Sequence, residues 1–93
     1  MSAFTDRAAR WIGEIVVVDF RSPMTAIGRL ERVEDDLLEL RDADLHDLRD
    51  TDTTRELYIV KTARYGVQVN RAELLVRIDD VLGVARLEDV VKG

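Results

Sequence analysis

The first apolar positions, Phe4, Ala8, Trp11 and Ile12, recur at i, i+4, i+7 and i+8. That spacing puts them on one face of a helix and predicts a helix over about Thr5 to Ile12. Asp6 in its first turn and Arg10 in its last suit the helix dipole. Gly13 ends it. Glu14 to Phe20 follows as a β-branched run, apolar on both faces, which predicts a central strand, and Arg21-Ser22-Pro23 breaks the ladder. From Met24 to Leu48 two patterns compete. Leu30, Val33, Leu37 and Leu40 follow a 3-4 spacing that fits a helix. A strand reading requires a bend or bulge near Gly28, with Glu34-Asp35-Asp36 as the turn before a Leu-rich strand. Thr53-Thr54-Arg55-Glu56 matches a capping box and Gly66 suits a helix end, so a second helix is predicted over about 54–65. Its Leu57, Ile59, Val60 and Ala63 share one half of the wheel, with Tyr58 and Tyr65 together on another side. The rival there is a strand through Tyr58-Ile59-Val60. Glu73 to Ile78 and Val81 to Leu87 read as two strands joined tightly at Asp79-Asp80. No repeat or low-complexity tract interrupts the chain, and residues 1-93 read as a single domain.

Length and composition bound what such elements can do. Ninety-three residues make a thin core, and association with further copies of the chain buries apolar surface that one copy cannot. The sequence is 46% hydrophobic and 35% charged, too apolar for a disordered chain. Its longest purely apolar run, Ile15 to Val18, cannot span a bilayer, and Met1 to Asp6 has neither a basic nor an apolar export region. No membrane association is expected. Zero cysteines exclude disulfides, thiolate nucleophiles and Cys-based metal sites, and fit the cytoplasm. The net charge of −5 is unevenly spread. Residues 31–52 hold ten acids against three bases, a net of −7, whereas residues 55–77 hold five bases against two acids, a net of +3. A polyanion would bind in the second stretch.

Two local motifs carry a family resemblance. Gly28-Arg29-Leu30-Glu31-Arg32-Val33-Glu34-Asp35-Asp36-Leu37-Leu38-Glu39-Leu40 is similar to the first motif of the Sm-like (LSm) family, in which a glycine bends the second strand and an acidic turn precedes a Leu-rich third. Leu74-Leu75-Val76-Arg77-Ile78-Asp79-Asp80-Val81 is similar to the apolar-Arg-Gly stretch of the second. The chain thus resembles a divergent bacterial-type or phage-type Sm-like protein over nearly its whole length. The resemblance implies a mainly β fold: a small, strongly bent, five-stranded open barrel with an N-terminal helix, to which this chain adds a helix between strands 3 and 4. It further implies a homo-oligomeric ring, closed head to tail through the unpaired edges of the sheet. Leu75, Val76, Val81, Leu82 and Val84 are the candidate edge residues.

The family's RNA pocket is only partly present. Where RNA-binding members carry an Asn and a stacking side chain, this turn offers Glu34, Asp35 and Asp36, about a residue short, and Ile78 stands where the glycine would be. Arg77 alone matches the RNA-contacting pattern. Tyr58, Lys61, Arg64, Tyr65 and Arg71 add aromatics interleaved with bases, which can stack and neutralise single-stranded RNA. Their plainer reading is a helix laying charged side chains over an apolar underside. Trp11 reads as core packing. His46 with Asp42 and Asp44 on one strand face suggests a divalent metal. The stretch fails the calcium-loop pattern, with Asp47 where glycine and Thr53 where glutamate belong, so neither metal nor cofactor is expected. Ser2 and Ser22 have no neighbouring His and there is no Gly-rich phosphate loop, so no enzyme is expected. The sequence therefore reads as a ring-forming, protein-binding scaffold with a weakened RNA pocket; the alternative is an RNA-binding ring that uses Arg77 and the basic 55–77 segment.

Overall fold

A computed structural model describes residues 2–50 and 52–91. The first helix, α1, spans Ala3–Ala8 and tightens into a 3-10 turn over Ala9–Trp11. Ser2 caps it: its Oγ accepts from the Thr5 amide at 3.1 Å, and the Thr5 hydroxyl donates to the Ser2 carbonyl at 3.0 Å. With its hydroxyl satisfied by the cap, Thr5 turns inward beside Ala8. The expected stripe is correspondingly rotated. Trp11 still packs against the core, but Phe4 and Ile12 are exposed.

Five strands follow: β1 Ile15–Phe20, β2 Met24–Val33, β3 Leu37–Asp47, β4 Arg71–Arg77 and β5 Val81–Arg86. They form one antiparallel sheet in the order β4-β3-β2-β1-β5. The contested segment is a hairpin of two long strands. Leu30 pairs with Leu40 and Val33 with Leu38 across it, and the helix-like spacing arises because the 34–36 turn falls between them. The bend sits at Gly28. Ile27 faces Asp44 and Arg29 faces Arg41, so Asp42 and Ala43 together oppose Gly28 in a bulge. Asp42 takes the left-handed conformation there, with φ of 50°. A Cβ on Gly28 would lie 2.8 Å from the Ala43 Cβ and 3.1 Å from the Arg41 carbonyl oxygen, so only glycine fits.

The sheet is apolar on both sides where β1 and β2 run through its middle. On the inner side Val16, Val18, Leu30, Leu38, Leu40 and Val76 form the main core, each almost fully buried. On the outer side Val17 and Ile27 pack against a second helix, α2 (Arg55–Tyr65), through Tyr58 and Ile59. This explains why Val16-Val17-Val18 lacks the polar alternation of a half-solvated strand. Thr54 caps α2, accepting from the Leu57 amide at 3.2 Å. The cap lies one residue beyond the position the capping-box pattern implied, which takes Glu56 out of the reciprocal place. Gly66 ends the helix at φ 93° and donates to the Thr62 carbonyl at 2.8 Å. The buried face is Tyr58, Ile59 and Thr62, while Leu57 points outward, a correction to the expected apolar half.

Candidate nucleic-acid interface

Two turns meet at one end of the sheet. The Glu34 amide donates to the Leu37 carbonyl at 2.9 Å, closing the acidic turn, and the Ile78 amide donates to the Asp36 carbonyl at 3.0 Å. Leu37 pairs with Arg77 in the β3–β4 ladder. The candidate turn residues Glu34, Asp35 and Asp36 are thus brought beside Arg77. All four are exposed. The Arg77 Nη2 donates to the Asp79 carboxylate at 3.1 Å, so its guanidinium is engaged by its own turn. Ile78 packs its side chain against the main core, which is why an apolar residue can replace glycine there.

The other candidates lie elsewhere. Arg71 opens β4 and Arg77 closes it, which separates them by roughly 20 Å at the rise of a strand. Lys61, Arg64 and Tyr65 project from α2 and are exposed, whereas Tyr58 is only 8% exposed. Tyr58 and Tyr65 share a helix side by periodicity but not an environment. The reason is Asp44, whose carboxylate accepts a hydrogen bond from the Tyr58 hydroxyl and draws the ring inward. The Tyr58 ring also stacks on His46, with centroids 4.3 Å apart and planes 8° from parallel. Asn70 completes the cluster. Its Nδ2 donates to Asp44 at 2.9 Å and to the Leu45 carbonyl at 3.1 Å, while its Oδ1 accepts from the Leu45 amide at 2.9 Å. Nothing in the sequence pattern marks Asn70, because its partners stand about 25 residues away.

The suggested metal face is also redistributed. The bulge at Gly28 turns Asp42 away to an ion pair with Arg29 at 3.5 Å, while Asp44 is committed to Tyr58 and Asn70. Among the described residues no group of three His, Asp or Glu side chains could hold a metal ion.

The buried Tyr58 hydroxyl makes a testable contribution. Tyr58→Phe leaves Asp44 short of a donor and is expected to cost about 1–3 kcal/mol in urea unfolding. Burial foremost, then the bond to Asp44 and its charge, hold the phenol above its ordinary pKa of 10.0. The unfolded tyrosine ionises near that value while the folded one stays protonated. This share of stability is therefore complete below pH 10 and falls as pH rises beyond it. Unfolding compared at roughly pH 9 and 11 should show a steeper alkaline loss in the wild type than in Tyr58→Phe.

The two outer strands, β4 and β5, each pair with one neighbour only and leave an open backbone edge. Leu75 on β4 is 58% exposed and Leu82 on β5 is 68% exposed. Val76 and Val81, also candidates for the edge, are buried within the subunit, and Val84 is partly buried against its core. Among the described residues no helix is long and apolar enough to cross a membrane.

An N-terminal helix leading into a strongly bent, five-stranded antiparallel sheet ordered β4-β3-β2-β1-β5 is the fold of Sm-like proteins. Solved structures carry it at low identity. An Sm protein from Pyrococcus abyssii in complex with a uridine heptamer is 18% identical, with a TM-score of 0.60 over 87% of this chain and 93% of its own. The Sm-like protein AF-Sm2 from Archaeoglobus fulgidus is 17% identical, with a TM-score of 0.61 over 92% and 96%. The P. aerophilum SmAP1 heptamer is 21% identical, with a TM-score of 0.60 over 100% and 99%. These three are archaeal and lend no support to a bacterial or phage subtype. No protein-family model and no curated protein matches the sequence.

Proposed function

We propose that this chain is a divergent Sm-like protein that assembles into a homo-oligomeric ring and works by binding single-stranded RNA rather than by catalysis. One observation carries the assembly: both edges of the sheet are open and each displays an exposed leucine, Leu75 on β4 and Leu82 on β5. Two different edges of the same subunit suit a head-to-tail contact, which closes into a ring when the rotation allows. The RNA assignment is supported by the Pyrococcus abyssii relative in fold, which is in complex with a uridine heptamer. The cysteine-free sequence suits a cytoplasmic assembly. Anisotropy of labelled oligouridine and oligoadenosine tests the reading. Binding should weaken steeply as salt rises, and an absence of binding at low salt would end it.

A second reading, a protein-interaction scaffold, draws on the junction of the two turns. Arg77 is engaged by Asp79, and Glu34, Asp35 and Asp36 crowd it with carboxylates that repel phosphate. On that reading the ring binds a basic peptide there, and charge reversal of Asp35 and Asp36 to Lys abolishes it while leaving assembly intact.

A further inference from the structure

Resting on the RNA-binding reading, we propose that the principal RNA contact lies on the exposed side of α2, not at the turns that carry Arg77, with a base stacked on Tyr65 and phosphates held by Lys61 and Arg64. The helix presents Leu57, Val60, Lys61, Arg64 and Tyr65 at i, i+3, i+4, i+7 and i+8, one continuous face. Two hollows flank it. One of about 310 Å3 is bounded by Thr53 and the helix face itself. The other, about 670 Å3, runs between α2 and β3, with Asp44, His46, Gln68 and Asn70 along its wall. Lys61 and Tyr65 border both, so they form the ridge between them. Each hollow reaches the size of a small-molecule pocket, enough for a nucleotide.

Charge and exposure decide the occupant. Arg29, Arg32, Arg41, Arg49 and Arg77 each lie within ion-pair range of a carboxylate of this chain, which offsets part of their attraction for phosphate. Among the described residues Lys61 and Arg64, like Arg7, Arg10, Arg21 and Arg71, have no carboxylate in ion-pair range, in a protein whose acids outnumber its bases. What marks Lys61 and Arg64 is that both line the hollow that Tyr65 borders. Asp44, the carboxylate on the wall of the larger hollow, is held by Tyr58 and Asn70. Tyr65 stands 73% exposed beside these two cations. An unsupported aromatic flanked by free cations is the arrangement that single-stranded nucleic acid uses: a stacking face that accepts any base, with positive charge for the backbone. A single-stranded oligonucleotide carries both a base and phosphates; an acidic peptide would use the cations and leave the ring idle.

The test measures anisotropy of labelled oligouridine of about ten nucleotides on the full chain across a salt series. The paired change Lys61→Ala/Arg64→Ala should weaken binding tenfold or more and reduce the magnitude of the salt slope by about 1.4, the share of two phosphates on a single strand. Tyr65→Ala should weaken it about tenfold with the slope unchanged, and Tyr65→Phe should restore it. Arg7→Ala/Arg10→Ala, on α1 and the 3-10 turn that follows it, removes the same charge away from the site. A loss there equal to that of the α2 pair would reduce the effect to net charge and overturn the proposal. A loss that follows Arg77→Ala and spares the α2 variants would place the contact at the turns, overturning the proposal while RNA binding stands. Wild-type protein that captures labelled oligoglutamate through Lys61 and Arg64 but no RNA would overturn both.

Discussion

Gly28→Val is expected to destabilise the chain by about 3 kcal/mol or more, a large share of what holds so small a fold together. The new Cβ would meet the Ala43 Cβ at 2.8 Å, the Ala43 Cα at 3.0 Å and the Arg41 carbonyl oxygen at 3.1 Å. Two of those three are backbone atoms and cannot rotate away. Nor can the bulge retreat easily, because the Asn70 amide holds the Ala43 carbonyl at 2.9 Å and the Asn70 side chain grips Leu45. Gly28→Ala should cost less, about 1–2 kcal/mol, since its methyl demands a smaller shift. Adding Ala43→Gly should recover part of that loss, as it removes the nearest atom but leaves the backbone contacts. Urea midpoints of the two single variants and the double supply the coupling directly.

Leu75→Arg and Leu82→Arg should each reduce the assembly to monomers. A head-to-tail ring uses both edges of every subunit, so damage to either one breaks every interface. Covering one exposed leucine contributes about 2 kcal/mol, and a buried, unpaired arginine in its place costs more than that gain. Mixing the two monomers carries the sharper information. Leu75→Arg keeps an intact β5 edge and Leu82→Arg an intact β4 edge, so together they can form one good interface and no second. A discrete heterodimer is expected from the mixture, with neither variant dimerising alone. An interface that used the same edge twice would give no heterodimer: the variant with that edge intact would dimerise with itself and the other would stay monomeric. Both leucines are exposed in the subunit, so neither change should disturb its folding.

The strand framework was legible because its punctuation is local. Pro23, the acidic run at 34–36 and the Asp79-Asp80 pair mark turns through their own backbone preferences. Gly28 could be read as the bend, but not the alternation around it: Ile27 and Leu30 lie on opposite faces without a break, and the same-face spacing of Leu30 and Val33 comes from a second register shift between Leu30 and Arg32. What stayed hidden depends on partners distant in sequence. Periodicity grouped Tyr58 with Tyr65, but Asp44, 14 residues before Tyr58, pulls one of them into the core and leaves the other in solvent. The same bulge that the glycine announced also splits Asp42 from Asp44, a consequence visible only once the register is known. Thr5 faced inward for a similar reason: its hydroxyl had a cap to satisfy, which a hydrophobicity pattern does not count. The adjacency of the acidic turn, Glu34 to Asp36, and Arg77 was also legible, and the structure sets them side by side. That Arg77 can pair with Asp79 or Asp80 of its own turn is legible too, because the partner stands two or three residues away; that Lys61 and Arg64 have no ion pair among the described residues is not.

The mass of the native assembly decides whether the chain closes into a ring. Gentle ionisation of the intact complex from low-salt buffer should give one dominant species at an integer multiple of the chain mass, greater than two and fixed over a wide range of protein concentration, as a closed ring requires. A strict monomer at all concentrations, or a ladder of open chains that lengthens with concentration, would contradict it.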